Sequence, residues 1–405
     1  MSPRSGRGLG EGFGRLLGAN LTSSLADGIA RTAAPLLALR LSDDPLMIAG
    51  VAAIIMVPWL LFALPSGMLV DRFDRRRVLA LASGSRAALG VLLLVLTANG
   101  SLSIWWLYGI LFVYGIGETL ADGAIRAIVP SVVGARDLAR ANGRIEAGEQ
   151  VLQGFVAAPL TSTLFAVSAL IPLGIDAAAF AIAAALALAL PRRASGRTAP
   201  PPAQSLTVQL RAGLRFLVAD RMLWMLWMFS TFFGLCLTVA SSLVPFVAVD
   251  TFGLPEGLFG LLLLFEALGG VFAAAVVDRI RRRFGTGHTM AAAAVVGSLA
   301  FLLPWAVPQV WALALGLFVY SFGLVIWNVL IISLRQAAIP TELLGRVHGT
   351  WRSLHWGVLP LGALVGGIIG RIDPMLPFLI GGGAAAAGAL LLSGRLRRLP
   401  EPEDL

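Results

Sequence analysis

Gly67-Met-Leu-Val-Asp71-Arg72-Phe-Asp74-Arg75-Arg76-Arg77 separates two long apolar runs, and a shorter version, Asp278-Arg279-Ile-Arg281-Arg282-Arg283, returns about 207 residues later in the same setting. In each, an apolar helix ends in an acid and a cluster of arginines, the chain turns tightly, and another apolar helix begins. Bases that close an apolar helix mark a membrane surface. Two such turns predict a chain of two similar halves, each threaded through a bilayer.

Composition agrees. Of 405 residues, 58% are hydrophobic and only 13% charged, against about a quarter charged in a soluble domain. Crossing about 30 Å of hydrocarbon at 1.5 Å per residue takes about 18–25 residues. On that measure twelve segments span, near 16–38, 46–70, 77–98, 104–128, 138–163, 166–190, 219–248, 257–278, 287–307, 309–334, 345–369 and 374–394. The first is longer than a signal-peptide core and lacks a small-residue cleavage site, so it is expected to be retained.

All 31 basic residues are arginine, and the formal net charge is +9. With both termini cytoplasmic, one face carries Arg4, Arg7, Arg15, the 72–77 cluster, Arg136, Arg140, Arg144, Arg192, Arg193, Arg197, Arg211, Arg215, the 279–283 cluster, Arg346, Arg395, Arg397 and Arg398. The opposite face keeps Arg40 and Arg371. Such asymmetry sets topology. It argues against a nucleic-acid surface and adds anionic lipid as a partner of the inner face. Cys236 stands alone in an apolar segment, which excludes an internal disulfide and a cysteine-based metal site. Neither a metal nor a cofactor is expected. A GxxxxGK[ST] loop is absent, so ATP is not the direct energy source.

Between Pro191 and Arg215 the apolar runs give way to Pro200-Pro201-Pro202 and polar residues. This predicts a six-helix bundle over 1–190, a cytoplasmic linker over 191–215 and a second bundle over 216–405. Residues 194–204 should be flexible, whereas Leu206, Leu210, Leu214 and Leu217 have the spacing of a surface helix. Two further echoes support duplication: Arg126-Ala-Ile-Val-Pro130 with Arg335-Gln-Ala-Ala-Ile-Pro340, and Gly143-Arg144-Ile145 with Gly345-Arg346-Val347. They imply halves related by an axis along the membrane normal.

Gly67-x-x-x-Asp71-Arg72-x-x-Arg75-Arg76 resembles the helix 2–3 signature of the major facilitator superfamily, over essentially the whole chain. Asp71–Arg77 with Ile128-Val-Pro130 and Ala141-Asn142-Gly143 resembles the branch of enterobactin exporters and macrolide efflux proteins. The resemblance implies an all-α membrane protein of twelve helices, a transporter and not an enzyme, working by alternating access. It makes Gly67, Asp71, Arg72, Arg75 and Arg76 an inner gate that pairs with neighbouring helices, with Asp278 and Arg279 as its counterpart. Asp74 stands where the superfamily usually has glycine, and the fourth segment lacks the basic residue that many proton-coupled members carry midway. Gly154-Phe-Val-Ala-Ala158-Pro159 matches the exporter signature in part, with Ala158 for its last glycine and Ser162-Thr163 for a following glycine pair. Plain helix packing explains it equally.

Charges in hydrocarbon cost roughly 2.5–3.5 kcal/mol on insertion scales and so face cavities or one another. Asn20, Ser24, Asp27 and Arg31 share one helix face, with Asp27 about 17 Å from the inner end. Asp27 would bind a proton or a cationic substrate, or else pair internally with Arg31. Glu118, Asp122 and Arg126 form another stripe, beside Gly115 and Gly117. Asp122 is the better gate partner and Glu118 the better proton carrier, the alternative being an Asp122–Arg126 surface pair. The fifth segment adds Glu146, Glu149, Gln150 and Gln153, the eighth Glu266, and the eleventh Arg352 and His355. By the repeat, Arg352 matches Gln150 and His355 matches Gln153, which aims both halves at a shared cavity; His355 is otherwise a packing residue. Unpaired, Glu149 and Glu266 would exchange protons. Trp105, Trp106, Trp305 and Trp311 fall at outer ends as anchors, while Trp59, Trp327, Trp351 and Trp356 stack on a ligand or pack.

These residues predict a monomeric transporter of the bacterial inner membrane that exports a small amphiphilic molecule, of drug, macrolide or siderophore type, against protons. An importer on the same scaffold, or a transport-dead receptor, are the alternatives.

Overall fold

The structure is a computed structural model describing residues 11–195 and 206–404. Among them every regular element is helical, as it must be where no water satisfies the backbone. Helix α1 covers Glu11–Leu41, α2 Pro45–Arg72, α3 Arg75–Ala98, α4 Ile104–Val132, α5 Leu138–Val167 and α6 Leu170–Leu188. After the undescribed residues 196–205, the segment with leucines at helical spacing forms α7, Leu206–Ala219. Then come α8 Arg221–Thr251, α9 Phe259–Phe284, α10 Thr286–Ala300, α11 Val310–Ala338, α12 Thr341–Gly370 and α13 Leu376–Leu396.

Eleven helices among the described residues are long and apolar enough to cross a membrane, not the twelve expected. The exception is α1, whose length suffices but whose face of Asn20, Ser24, Asp27 and Arg31 dilutes its apolar character. This shortfall therefore arises from the polar stripe that marks α1 as a site.

Local chemistry explains the joints. Asp74 caps α3 with φ −62° and accepts a hydrogen bond from the Arg76 N–H at 3.0 Å. Its carboxylate does the work of a cap and needs no left-handed residue, so the missing glycine leaves a well-formed turn. The corresponding turn of the later repeat uses Gly285 at φ +81° between α9 and α10. Helix α5 opens into a π-helical stretch at Val151–Ala157, just before Pro159 removes an N–H from the ladder. That widened segment lies against α1, where a Cβ on Gly28 would stand 2.5 Å from Ala157 Cβ.

The chain forms two compact units, Met1–Leu37 with Leu61–Ala203, and Ala38–Leu60 with Gln204–Leu405. In the first, α3 packs along α6 and α4, over a core that includes Leu16, Leu79, Ile128 and Val129. In the second, α9 packs on α11, α12 on α8 and α7, and α13 on α10 and α8. The end of α1 and the first half of α2 group with this second unit.

Candidate functional site

Asn20, Ser24 and Asp27 on α1 are all buried. A buried carboxylate needs a partner close by. Asp27 finds it on α3, where Arg86 donates from Nη1 to Asp27 Oδ1 at 2.7 Å and from Nη2 to Ser23 Oγ at 2.8 Å. Arg86 is 1% exposed. Its guanidinium lies 4.1 Å from the ring centre of Phe180 and 5.3 Å from that of Tyr114, where the ring quadrupoles attract it. Gly117 makes the space, because a Cβ there would stand 2.9 Å from Arg86 Cγ. Asp176 on α6 is buried beside them, and the Tyr114 hydroxyl donates to its Oδ1 at 3.5 Å.

The internal Asp27–Arg31 pair does not form. Arg31 instead donates from Nη2 to Glu118 Oε1 on α4 at 2.7 Å, its side chain 53% exposed. Two inter-helix pairs thus replace one intra-helix pair, since Arg86 offers Asp27 a short, buried bond and Glu118 on α4 offers Arg31 another. Neither Arg86 nor Asp176 was picked out from sequence. The available signal was a single charge within an otherwise apolar span.

Asp122 pairs with Arg126 one turn along α4, at 3.0 and 3.2 Å. Its partner in this structure is therefore the neighbour on its own helix, the surface pair that stood as the alternative to a gate contact. Glu149 lies near Asn20, yet the Asn20 amide nitrogen completes no hydrogen bond.

The bases of the first turn and Arg15 on α1 reach carbonyls near helix ends. Arg75 donates to the Ala127 carbonyl at 3.0 Å, Arg76 to that of Leu190 at 2.7 Å, and Arg15 to that of Ala189 at 2.9 Å. Cations suit the negative C-terminal ends of helices. Asp74 also meets Arg76 at 3.3 Å. Burial pushes the Asp74 carboxyl up, but hydrogen bonds and charge from Arg76 outweigh it and hold the group below its usual value. The Asp71 side chain lies outside the described residues, Arg72 is exposed, and Gly67 borders open space.

In the second unit the expected counterpart residues, Asp278 and Arg279, are exposed and hold no ion pair among the described residues. The paired base is Arg281, 3.3 Å from Glu401 and 3.1 Å from Glu403. Glu401 also accepts from the Thr286 N–H and hydroxyl, both at 2.7 Å. Burial raises the Glu401 carboxyl, but these bonds and Arg281 bring it below the ordinary value. Arg281 points at the chain's last residues, which the turn motif alone does not reveal.

Glu266 makes no hydrogen bond or ion pair among the described residues. His355 packs against α8, where a Cβ on Gly234 would stand 2.9 Å from its Cε1. Arg352 lies over Trp59 at 4.5 Å and the buried Arg335 over Trp351 at 4.6 Å. Trp327 packs with Phe229 and donates to Ser230 Oγ at 3.2 Å, so Trp327 and Trp351 are packing residues here. Trp105, Trp106, Trp305 and Trp311 are exposed, as anchors require.

The two arginines of the arginine-poor side are both engaged within this unit. Arg40 binds Glu256 through Nε at 3.0 Å and Nη2 at 2.5 Å, and Arg371 binds Asp44 through Nε at 2.8 Å and Nη2 at 2.5 Å. Such fork-to-fork pairs are the strongest surface geometry. The hydrogen bond from Arg371 holds the Asp44 carboxyl below its usual value, and Asp44 raises Arg371.

Apolar membrane helices carrying paired charges in their middles define a multi-pass membrane transporter. The chain belongs to the Major Facilitator Superfamily, whose model matches residues 16–360. It is 28% identical over 350 residues to the enterobactin exporter EntS of Citrobacter koseri, covering 83% of this chain and 80% of that protein. It is 21% identical over 210 residues to macrolide efflux protein A of Enterococcus faecalis, covering 51% and 64%. The fold is also that of the nucleoside transporter NupG, with a TM-score of 0.72 at 15% identity over 96% of this chain and 100% of that one.

Proposed function

We propose that this chain is a secondary exporter that moves a small amphiphilic molecule out of the bacterial cytoplasm in exchange for protons. The observation that carries the reading is Arg31, which sits about 15 Å from the Leu41 end of α1 by helical rise and whose side chain is 53% exposed. A guanidinium at that depth is too costly to face lipid. It faces a polar pathway. The likeness to exporters over most of the chain favours efflux.

Within this reading, Asp27, Arg31, Glu118, Glu149, Glu266, Arg352 and His355 line the route of substrate and proton. Glu266 is the leading proton carrier, because no cation among the described residues pairs with it. Twelve helices, counting α1, work as two six-helix halves joined by 191–215, in a monomer with both termini cytoplasmic. Gly67, Asp71, Arg72, Arg75, Arg76, Asp122, Asp278 and Arg279 make up the inner gate, and Arg40–Glu256 and Arg371–Asp44 must part for release outside.

The test is accumulation of fluorescent lipophilic compounds, macrolide types included, in an efflux-deficient bacterium with and without a protonophore. Expected is lower accumulation than in the empty strain, abolished by the protonophore and by Glu266→Gln. Accumulation that rises on expression, and falls with the protonophore, would instead establish import.

A further inference from the structure

The arginine-rich end of the second unit carries a groove of about 590 Å³ between α10, α11 and α13. Its floor is the alanine run of α10, where Ala291, Ala292 and Ala293 leave a furrow that larger side chains would fill. Exposed Phe284, Val296 and Leu390 form its walls. At one end stand His288 and Arg397, the groove's titratable and cationic side chains. From His288 to Val296 is eight residues of helix, about 12 Å, close to the ~15 Å of one leaflet of hydrocarbon.

We propose that this groove is a binding site for a phospholipid with an anionic headgroup. One acyl chain lies along the alanine floor and the headgroup phosphate sits between His288 and Arg397. Three observations converge on that occupant. The groove lies on helices that cross the membrane, and its apolar length matches one leaflet. Its single guanidinium is at the end where the helices meet the arginine-rich surface. Arg397 holds no ion pair among the described residues, whereas Arg281 on the same surface is matched by Glu401 and Glu403. A soluble phosphate would satisfy the charge but leave the furrow empty.

Native mass spectrometry of the purified full-length protein in detergent, titrated with phosphatidylglycerol or phosphatidylcholine, tests this. Phosphatidylglycerol is expected to bind at least about 5-fold more tightly, a ratio set by roughly one basic side chain at a headgroup. Arg397→Gln should remove that preference. Arg395→Gln, on the same exposed end but outside the groove, should keep it. Ala292→Phe should reduce retention of both lipids by filling the furrow. Equal binding of the two lipids by the native protein, or equal losses in the Arg397 and Arg395 variants, would overturn the site and leave only general attraction to a basic surface.

Discussion

Arg86 is the residue on which the first unit's polar interior turns. It answers the charge of Asp27, bonds Ser23 and lies over two aromatic rings, while 1% exposed. Removing one member of a buried pair leaves the other uncompensated, at a cost of about 3–5 kcal/mol. Arg86→Ala is therefore expected to lower the unfolding midpoint in detergent sharply. Arg86→Lys should recover only part of the loss, since an ammonium cannot serve Asp27 and Ser23 with a planar fork. A midpoint for Arg86→Ala equal to that of the native protein would refute the pair's structural role. At this scale the sequence was half legible. The stripe on α1 was visible because helical spacing puts i and i+4 together, but the partner of each charge was not, because it comes from another helix.

Elements pack here through glycines whose necessity differs from place to place. On α9 a Cβ at Gly269 would run into the Phe318 carbonyl of α11. Backbone cannot move aside as a side-chain tip can, so Gly269→Ala should cost roughly 1–3 kcal/mol by overpacking and weaken the α9–α11 contact. Gly67 is the contrast. It belongs to the signature turn, yet nothing lies within 4 Å of its Cβ position. Gly67→Ala should leave stability within about 0.5 kcal/mol, measured by the same melt. Transport lost with stability intact would place that glycine's role in another conformation of the cycle. Helix α5 teaches the same lesson from the other side. Its proline and small residues announced an irregular, closely packed helix, and the irregularity is a π stretch against α1.

At the scale of the whole molecule, charge is matched unit by unit. In the first unit arginines of the 72–77 turn bind helix carbonyls, and in the second Arg281 binds acids near the C-terminus. The second also holds Arg40 and Arg371, each matched to one acid. The Asp44 carboxyl is held below its ordinary 3.8 by Arg371. A carboxylate so lowered contributes while the pH is above the ordinary value, and its contribution is lost as the pH falls through the lower folded value. In a Cys236→Ser background with a cysteine at Leu46, alkylation taken relative to a fully exposed cysteine at the same pH, which cancels the fall in thiolate, should therefore quicken as the pH drops below 3.8. At neutral pH, the Arg40→Ala/Arg371→Ala double variant should quicken it several-fold. Both pairs are partly exposed, so high salt should have a milder effect of the same sign. An alkylation rate that neither acid nor the double variant changes would mean these pairs hold nothing shut.

By itself the sequence determined that the chain crosses a membrane many times, that most of its arginines gather between the apolar segments and that its turns repeat. Those properties follow from the cost of placing polar groups in hydrocarbon, which each segment incurs alone and which composition records locally. Family membership was legible for the same reason, in a turn of eleven adjacent residues. Only the tertiary structure decided which charge meets which. Asp27 and Arg86 are 59 positions apart, and Arg31 and Glu118 are 87 apart. A pair of that kind exists only once helices have packed, since its geometry is set by neighbours that no local spacing contains.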